Sequence, residues 1–376
     1  MKKTLIALSL LAFSGAAAAE VVLYGAVKGG VEWERGYEWK QNGQTVGGER
    51  AFKVADYGSH IGFKGSENLG NGLNAVWQIE TRANIGGGEA KGLGTRDSFI
   101  GLEGGFGRIT AGHQASPLKQ SLDKQDIWEY SNYTLGLLAY SRYGYRATGI
   151  SYQSPNWGGF DFSAQFVPGN NSYGGNNADS EPTIGLGLNY AHSGFFARYA
   201  LEYALRDKER HGGKDAHIHN LVGGYDANNL YLALGLQYAK NVYPYFITPN
   251  NVTRSINHSA NDVYGSATIN VGGVVHNLPY TATLKEAQLS AAYTFGALTP
   301  KLSVAYGTGS GVTIPALNNR VFGKNARYLQ VVAGADYAFS RRTTGLVTLG
   351  WFRGRNAEYN PNETNWAVGT GLVHKF

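Results

Sequence analysis

Three acids, Asp123, Asp126 and Glu129, fall within one polar segment around Trp128, whereas Lys28, His60, Lys64, Arg82, Arg96 and Arg146 are scattered along the chain before and after it. Carboxylates on one segment and bases on several others do not form an acid–base pair for bond making. Set on opposite sides of a narrow aqueous passage, they would create a field across it. Solvated charges act over about 8 Å at physiological ionic strength, so such a field reaches passing ions only where the passage is about that wide.

Other chemistries fit less well. His217-Ile218-His219 puts two imidazoles on one face of a strand, but no carboxylate or thiol joins them to complete a metal ligand set. Gly86-Gly87-Gly88 and the glycines from Gly101 to Gly107 are turns, since neither run connects a strand to a helix as a phosphate cradle requires. No Gly-x-Ser-x-Gly elbow or His-Glu-x-x-His pair occurs, and alternation assembles no Ser/His/acid trio. The chain is therefore expected not to be an enzyme, a barrel hydrolase being the enzymatic alternative, and no cofactor or metal is expected.

The elements that position these charges are strands. Met1-Lys2-Lys3, the apolar run from Leu5 to Phe13 and Ala17-Ala18-Ala19 form a signal peptide over residues 1–19, leaving 20–376 as one domain. The apolar run is shorter than the roughly 20 residues of a spanning helix, and mean hydropathy is −0.28. A membrane crossing must then use a closed barrel, whose backbone is satisfied between strands. The 53 Gly, 25 Tyr and 16 Phe suit strands, tight turns and aromatic girdles. Cys is absent, so the exported fold holds without disulfides. Without Lys2 and Lys3 the chain has 31 basic and 27 acidic residues, a mild +4 with no basic run of the kind that binds nucleic acid.

Alternation recurs from end to end. Leu23, Val27, Val31 and Trp33 oppose Tyr24, Lys28 and Glu32; Leu230, Leu232, Leu234, Leu236 and Tyr238 oppose Tyr231, Ala233, Gly235 and Gln237. Ala287 to Phe295 and Leu329 to Phe339 repeat the rhythm. A soluble sandwich alternates too, but here the polar face carries small or charged residues suited to a water-filled lumen. Short connections (68–71, 104–107, 155–159, 191–194, 227–229, 296–299 and 340–342) alternate with long ones (35–58, 86–94, 114–146, 167–182, 206–216, 239–284, 308–325 and 354–363). Seven short and eight long connections join 16 strands, an even number with both termini on the short-turn side, as in outer-membrane barrels. Phe376 ends a final strand on the parity of Trp366, Val368 and Leu372, ready to close against Gly25 to Trp33. The fold class is an all-β, 16-stranded antiparallel transmembrane barrel.

Nearly all of the chain resembles a Gram-negative general porin, nearest the neisserial PorB-type branch. The resemblance rests on Val22-Leu23-Tyr24-Gly25, Gly58 to Gly65, Glu67 to Leu73, Arg96 to Leu102, Tyr152-Gln153-Ser154-Pro155 and His374-Lys375-Phe376, in that order. It implies an outer-membrane homotrimer, passive diffusion of ions and small hydrophilic solutes, and a third long loop folded into the lumen. Lipid and lipopolysaccharide would surround the barrel. The alternative is an adhesin or receptor acting through its external loops, the longest running from Ala239 to Leu284.

The third-loop role has its own sequence argument. Only Arg108 to His113 precede the loop as strand, fewer than the roughly 9–11 residues of a full crossing, so the chain is expected to leave the wall at mid-depth and turn inward. Asp123, Asp126 and Glu129 then form the acidic side of a constriction, and parity sends Lys28, His60, Lys64, Arg82 and Arg96 to the basic wall opposite. Arg146 joins them only if alternation breaks at its strand end, because it shares parity with Ile150 and Tyr152. Relatives carry Lys or Arg where this chain has His60, and a basic residue where it has Ser151. Fewer permanent charges therefore line the wall, and His60 is either a pH-sensitive element or a neutral polar wall residue. A weak anion preference is expected from the +4 balance and the basic wall.

Overall fold

The computed structural model describes residues 20–376 except 37, 42–43, 48–49, 88–91, 170–181, 206–214, 243–266, 272–273, 279–280, 311, 315–319, 323–324 and 357–359. The proposed signal peptide, 1–19, lies outside the described residues.

Sixteen wall strands close on themselves. They are β1 (Glu20–Glu34), β2 (Ala51–Asp56 continued by His60–Gly70), β3 (Leu73–Arg82), β4 (Ser98–Gly104), β5 (Gly107–Ala115), β6 (Arg146–Gln153), β7 (Phe160–Val167) and β8 (Thr183–His192). The circuit continues with β9 (Phe195–Ala204), β10 (Ala216–Ala227), β11 (Leu230–Lys240), β12 (Thr283–Tyr293), β13 (Leu298–Gly309), β14 (Arg327–Ala338), β15 (Thr343–Asn356) and β16 (Asn360–Lys375). Each pairs antiparallel with its sequence neighbour, and β1 pairs with β16 from Ala26↔Lys375 to Glu34↔Ala367. The Phe376 amide donates to Gly25 O at 3.1 Å, so the aromatic C-terminus fastens the seam and the barrel has no open edge.

Parity separates two environments. Leu232, Leu234 and Leu236 of β11 are outward and 42–53% exposed, while Ala233 is 0% and Gln237 4% exposed on the inner face. On β12 Leu289 is 47% exposed, flanked by Gln288 at 2% and Ser290 at 0%. The apolar outer face matches lipid, and the polar inner face is covered by something inside the barrel.

The first short turn is Asn71-Gly72 and not 68–71, because β2 runs on to Gly70; Asn228-Asn229 falls where the sequence puts it. Asn71-Gly72 and Asn228-Asn229 all have positive φ, the left-handed pair whose twist matches a two-residue hairpin. Three further expectations need correction. The first long connection stops near Arg50, because Ala51–Asp56 already pairs with β1. The last shrinks to residues between Asn356 and Asn360, since β15 and β16 extend outward. And β5 is a nine-residue strand, not six: Gln114 and Ala115 keep the ladder with Ala147 and Arg146. Strand length therefore does not explain the inward turn of the segment after β5.

The interruption in β2 shapes the interior. Gly58, at φ +90°, breaks the strand, and the Asp56 carboxylate accepts from the Gly58 amide at 2.9 Å. Ser59 Oγ donates to Lys28 O at 2.9 Å and accepts from Lys28 N at 2.8 Å. This turns Tyr57 inward, 3% exposed, against Tyr130 at 4.6 Å between ring centroids.

Candidate functional site

The segment between β5 and β6 lies on the inner face of the barrel. It opens with α1 (Pro117–Asp123), capped by Ser116 Oγ accepting from Lys119 N at 3.1 Å, with Pro at the start. A side-chain N-cap and an early proline both favour a helix start. Leu118 and Leu122, four apart on one helix face, are fully buried. From there the segment is tied to successive strands by hydrogen bonds. Ser121 Oγ donates to Asn220 on β10 at 2.7 Å, Ser290 Oγ on β12 donates to Gln125 O at 3.1 Å, and Trp128 Nε1 donates to Ser303 on β13 at 2.9 Å. Farther on, Asn132 donates to Glu32 of β1 at 3.0 Å, Gln330 of β14 donates to Gly136 O at 2.6 Å, and Asn365 of β16 donates to Thr134 at 2.8 Å.

Lumen-facing glycines make the seats. A Cβ on Gly235 of β11 would collide with Gln125 Oε1, and one on Gly350 of β15 with the Thr134 carbonyl. At Gly369 of β16 it would stand 2.5 Å from Tyr130 Cε1. These absent side chains let the segment approach the wall closely enough for the amide and hydroxyl groups to meet.

The return arm passes through α2 (Leu138–Ser141) and carries the most buried charge pair. Arg142 Nη1 and Nη2 bind the Glu286 carboxylate of β12 at 2.7 and 2.8 Å, with the two side chains 6% and 0% exposed. Gln237 Nε2 and Tyr328 Oη donate to the same carboxylate at 2.9 and 2.7 Å. A forked guanidinium with two further donors satisfies the charge that burial would otherwise penalise.

Each acid of the predicted constriction has a separate fate. Asp123 is exposed and is held by Lys119 one helical turn away at 2.8 Å. Asp126 accepts from Trp128 N at 3.2 Å, and burial pushes its carboxyl up to about 6 against that bond. Glu129 meets Lys28 directly, 2.6 Å from Nζ. Burial alone would raise the Glu129 carboxyl, but the Lys28 ammonium outweighs it and leaves the group below its ordinary range.

The basic residues divide likewise. Lys28 is consumed by Glu129, so these two bridge the space instead of facing each other across it. Arg96 Nε is bound by Glu80 of β3, whose carboxylate also accepts from Tyr24 Oη at 2.9 Å. Arg96 precedes β4 on the parity of the exposed Ile100, and Arg146 shares the parity of Ile150, which is 56% exposed. The Arg146 Nη2 nevertheless lies 2.9 Å from Asp97, which lines the cavity beside α1. Alternation does not break there, because β6 pairs with β5 from Arg146 onward. His60 Nδ1 lies 3.1 Å from Gly58 O beside the β2 interruption. Lys64 and Arg82 keep the lumen parity, are exposed, and have no acid within ion-pair distance among the described residues. Lys64 Nζ instead stands 5.3 Å from the Tyr24 ring centroid.

A cavity of about 400 Å³ remains between α1 and the open part of the wall, with Gln78, Asp97, Arg108, Gln114, Gln120 and Gln165 in its lining. The acids that neutralise the wall, Glu80 and Asp97, escape a reading based on parity alone. Parity puts Glu80 on the inner face without showing that its partner is Arg96, and Asp97, just before β4, is beyond the reach of parity. The Lys301–Asp336 pair at 2.8 Å and Arg142–Glu286 join residues more than 30 apart and have no local signal. The glycine seats did have one: small residues at inward positions of otherwise polar faces.

A closed barrel with an apolar outer face and a hydrated, charged interior narrowed by its own loop is a membrane channel. The comparisons specify which kind. The model of the Gram-negative porin family matches residues 36–376. The chain is 37% identical to the major outer membrane protein P.IB of Neisseria sicca and 38% identical to that of Neisseria gonorrhoeae, covering 100% of both partners in each case. Among solved structures it is similar to an anion-selective porin from Comamonas acidovorans (TM-score 0.65, 21% identity, 96% of this chain and 100% of that one). It is also similar to OmpF of Salmonella typhi in complex with daunomycin (TM-score 0.60, 21% identity, 95% and 98%). The chain belongs to the Gram-negative porin family, and is an outer-membrane channel and not an enzyme.

Proposed function

We propose that this porin passes ions and small hydrophilic solutes with a weak preference for anions, set beside the inward loop by Lys64 and Arg82. The observation that carries the reading is the unequal neutralisation of the two sides. On the loop, Glu129 is paired with Lys28 and Asp123 with Lys119, while burial pushes the Asp126 carboxyl up to about 6. On the wall, Lys28 and Arg96 are matched by acids, but Lys64 and Arg82 are not among the described residues. A unit charge in water is worth about 1 kcal/mol at roughly 4 Å, or about a fivefold local enrichment. Two such charges in a hydrated passage bias traffic without excluding cations.

The reading includes a homotrimer whose outer faces meet outer-membrane lipid and lipopolysaccharide. Support for the trimer comes from family membership; support for the lipid contact comes from the exposed apolar outer face. Zero-current potentials of the purified protein in a planar bilayer under a KCl gradient test the selectivity, and a sign indicating cation preference rejects it. Current steps grouped in threes are the outcome expected of a trimer.

A further inference from the structure

The outer face of β11–β15 carries a band of exposed cations at one end. Lys240, Lys285, Arg327, Arg353 and Arg355 are all exposed and all lie on the outward parity. Their strand mates in that parity are the lipid-side residues Leu236, Leu289, Leu329, Val347 and Leu349. All five cations sit at the strand ends opposite the short turns 228–229, 294–297 and 339–342, which is the external end of an outer-membrane barrel. The opposite end of β12 and β14 presents Tyr293 and Tyr337 outward instead, each followed by an exposed phenylalanine.

The arginines are crowded. Arg327 and Arg355 are direct register partners, and Arg353 is the partner of Leu329, the next outward residue of β14. Like charges placed directly opposite on a sheet repel, and no acid lies within ion-pair distance of Arg327 or Arg355 among the described residues. With Tyr306 and Leu329 they line a recess of about 290 Å³. Guanidinium forks bind phosphate oxygens two at a time, and the leucine and tyrosine rings below would meet acyl chain.

We infer that this recess binds the phosphorylated headgroup of a lipid in the external leaflet, with Arg327 and Arg355 on the phosphate and Lys285 and Lys240 extending the basic band along the membrane surface. The inference rests on the outer-membrane lipid contact proposed above and assigns it a site. An anion between Arg327 and Arg355 turns their repulsion into shared binding, and the outward parity leaves the lumen uninvolved. The Arg327→Gln/Arg355→Gln variant should therefore keep the wild-type conductance.

Native mass spectrometry of the detergent-solubilised protein, titrated with bis-phosphorylated lipid A, tests this. The expected result is at least a tenfold weaker apparent Kd for R327Q/R355Q, and a comparable loss when wild type is offered dephosphorylated lipid A. Equal binding by wild type and variant overturns the site. Undiminished binding of dephosphorylated lipid A overturns the phosphate role without needing any variant, and displacement by millimolar inorganic phosphate would mean a free-anion site. Loss of the oligomer in R327Q/R355Q would assign the band to a subunit contact. Absence of conductance in wild type would instead challenge the channel reading, so the two failures are distinguishable.

Discussion

The two halves of the lumen are built from the same alternating strands but do opposite things. Along β10–β16 the inner face is a core: Ala233, Ser290, Ser303, Val332, Gln330 and Thr348 are each at most 1% exposed beneath the inward loop. Along β2 and β3 the inner face stays open, with Lys64 and Arg82 exposed, and beyond them a cavity remains beside α1. What distinguishes the halves is complementarity to the loop. Where the wall presents small residues and amide or hydroxyl groups, the loop's backbone and amides are satisfied and water is expelled. Where it presents charges without partners, desolvation would cost more than contact returns, and water remains. A porin eyelet is what remains when a loop fills only the side of the barrel that fits it.

The strongest way to break that contrast is to remove the charge anchoring the filled half. Glu286→Leu leaves the Arg142 guanidinium buried without its carboxylate, and a loss of about 3–5 kcal/mol is expected. Denaturant or thermal unfolding in detergent measures it, and an unchanged midpoint would show that the pair is not what holds the return arm. Next in size, Gly350→Val drives a side chain into the Thr134 carbonyl. Overpacking of this kind costs about 1–3 kcal/mol, and displacement of the loop should change single-channel conductance. Gly105→Ala is the matched control, because a Cβ there meets nothing within 4 Å and the change should stay within about 0.5 kcal/mol.

The wet half is sharpened by charge reversal. Lys64→Glu and Arg82→Glu should each shift the zero-current potential toward cations by up to about fivefold in permeability ratio per unit charge, with stability little altered. A reversal that leaves the potential unmoved would place the selective charges elsewhere. The smallest effect is in pH. Asp126, raised to about 6 by burial, gains a proton as pH falls from 7 to 5, so the loop loses negative charge and anion preference should rise. Glu129, held below its ordinary range by Lys28, stays ionised across that window. Asp126→Asn should remove the Asp126 component of this rise. Because the folded-state value of Asp126 lies above its ordinary one, folding takes up a proton between about pH 4 and 6, and this group favours the folded state increasingly as pH falls through that window.

Much of the wall was legible in the chain because period-2 burial is a local property. Leu232, Leu234 and Leu236 announce the lipid side by themselves, Asn228-Asn229 announces its turn, and Phe376 announces the closing strand. Parity likewise placed Lys28, Lys64 and Arg82 on the inner face. It left Arg146 conditional, and the unbroken ladder keeps that residue on the outer parity. The inward course of the third loop followed from family resemblance, whereas the local argument offered for it, a six-residue strand, was wrong by three residues.

The sequence alone determined which residues face lipid and which face the lumen, because alternation repeats every second residue and needs no knowledge of distant neighbours. Only the tertiary structure decided which lumen charges remain available to an ion. That depends on whether Glu129 reaches Lys28, Glu80 reaches Arg96 and Glu286 reaches Arg142, across separations of 101, 16 and 144 residues. Ion pairing falls off within a few ångströms, and no pattern along the chain encodes those distances until the barrel closes and the loop is seated.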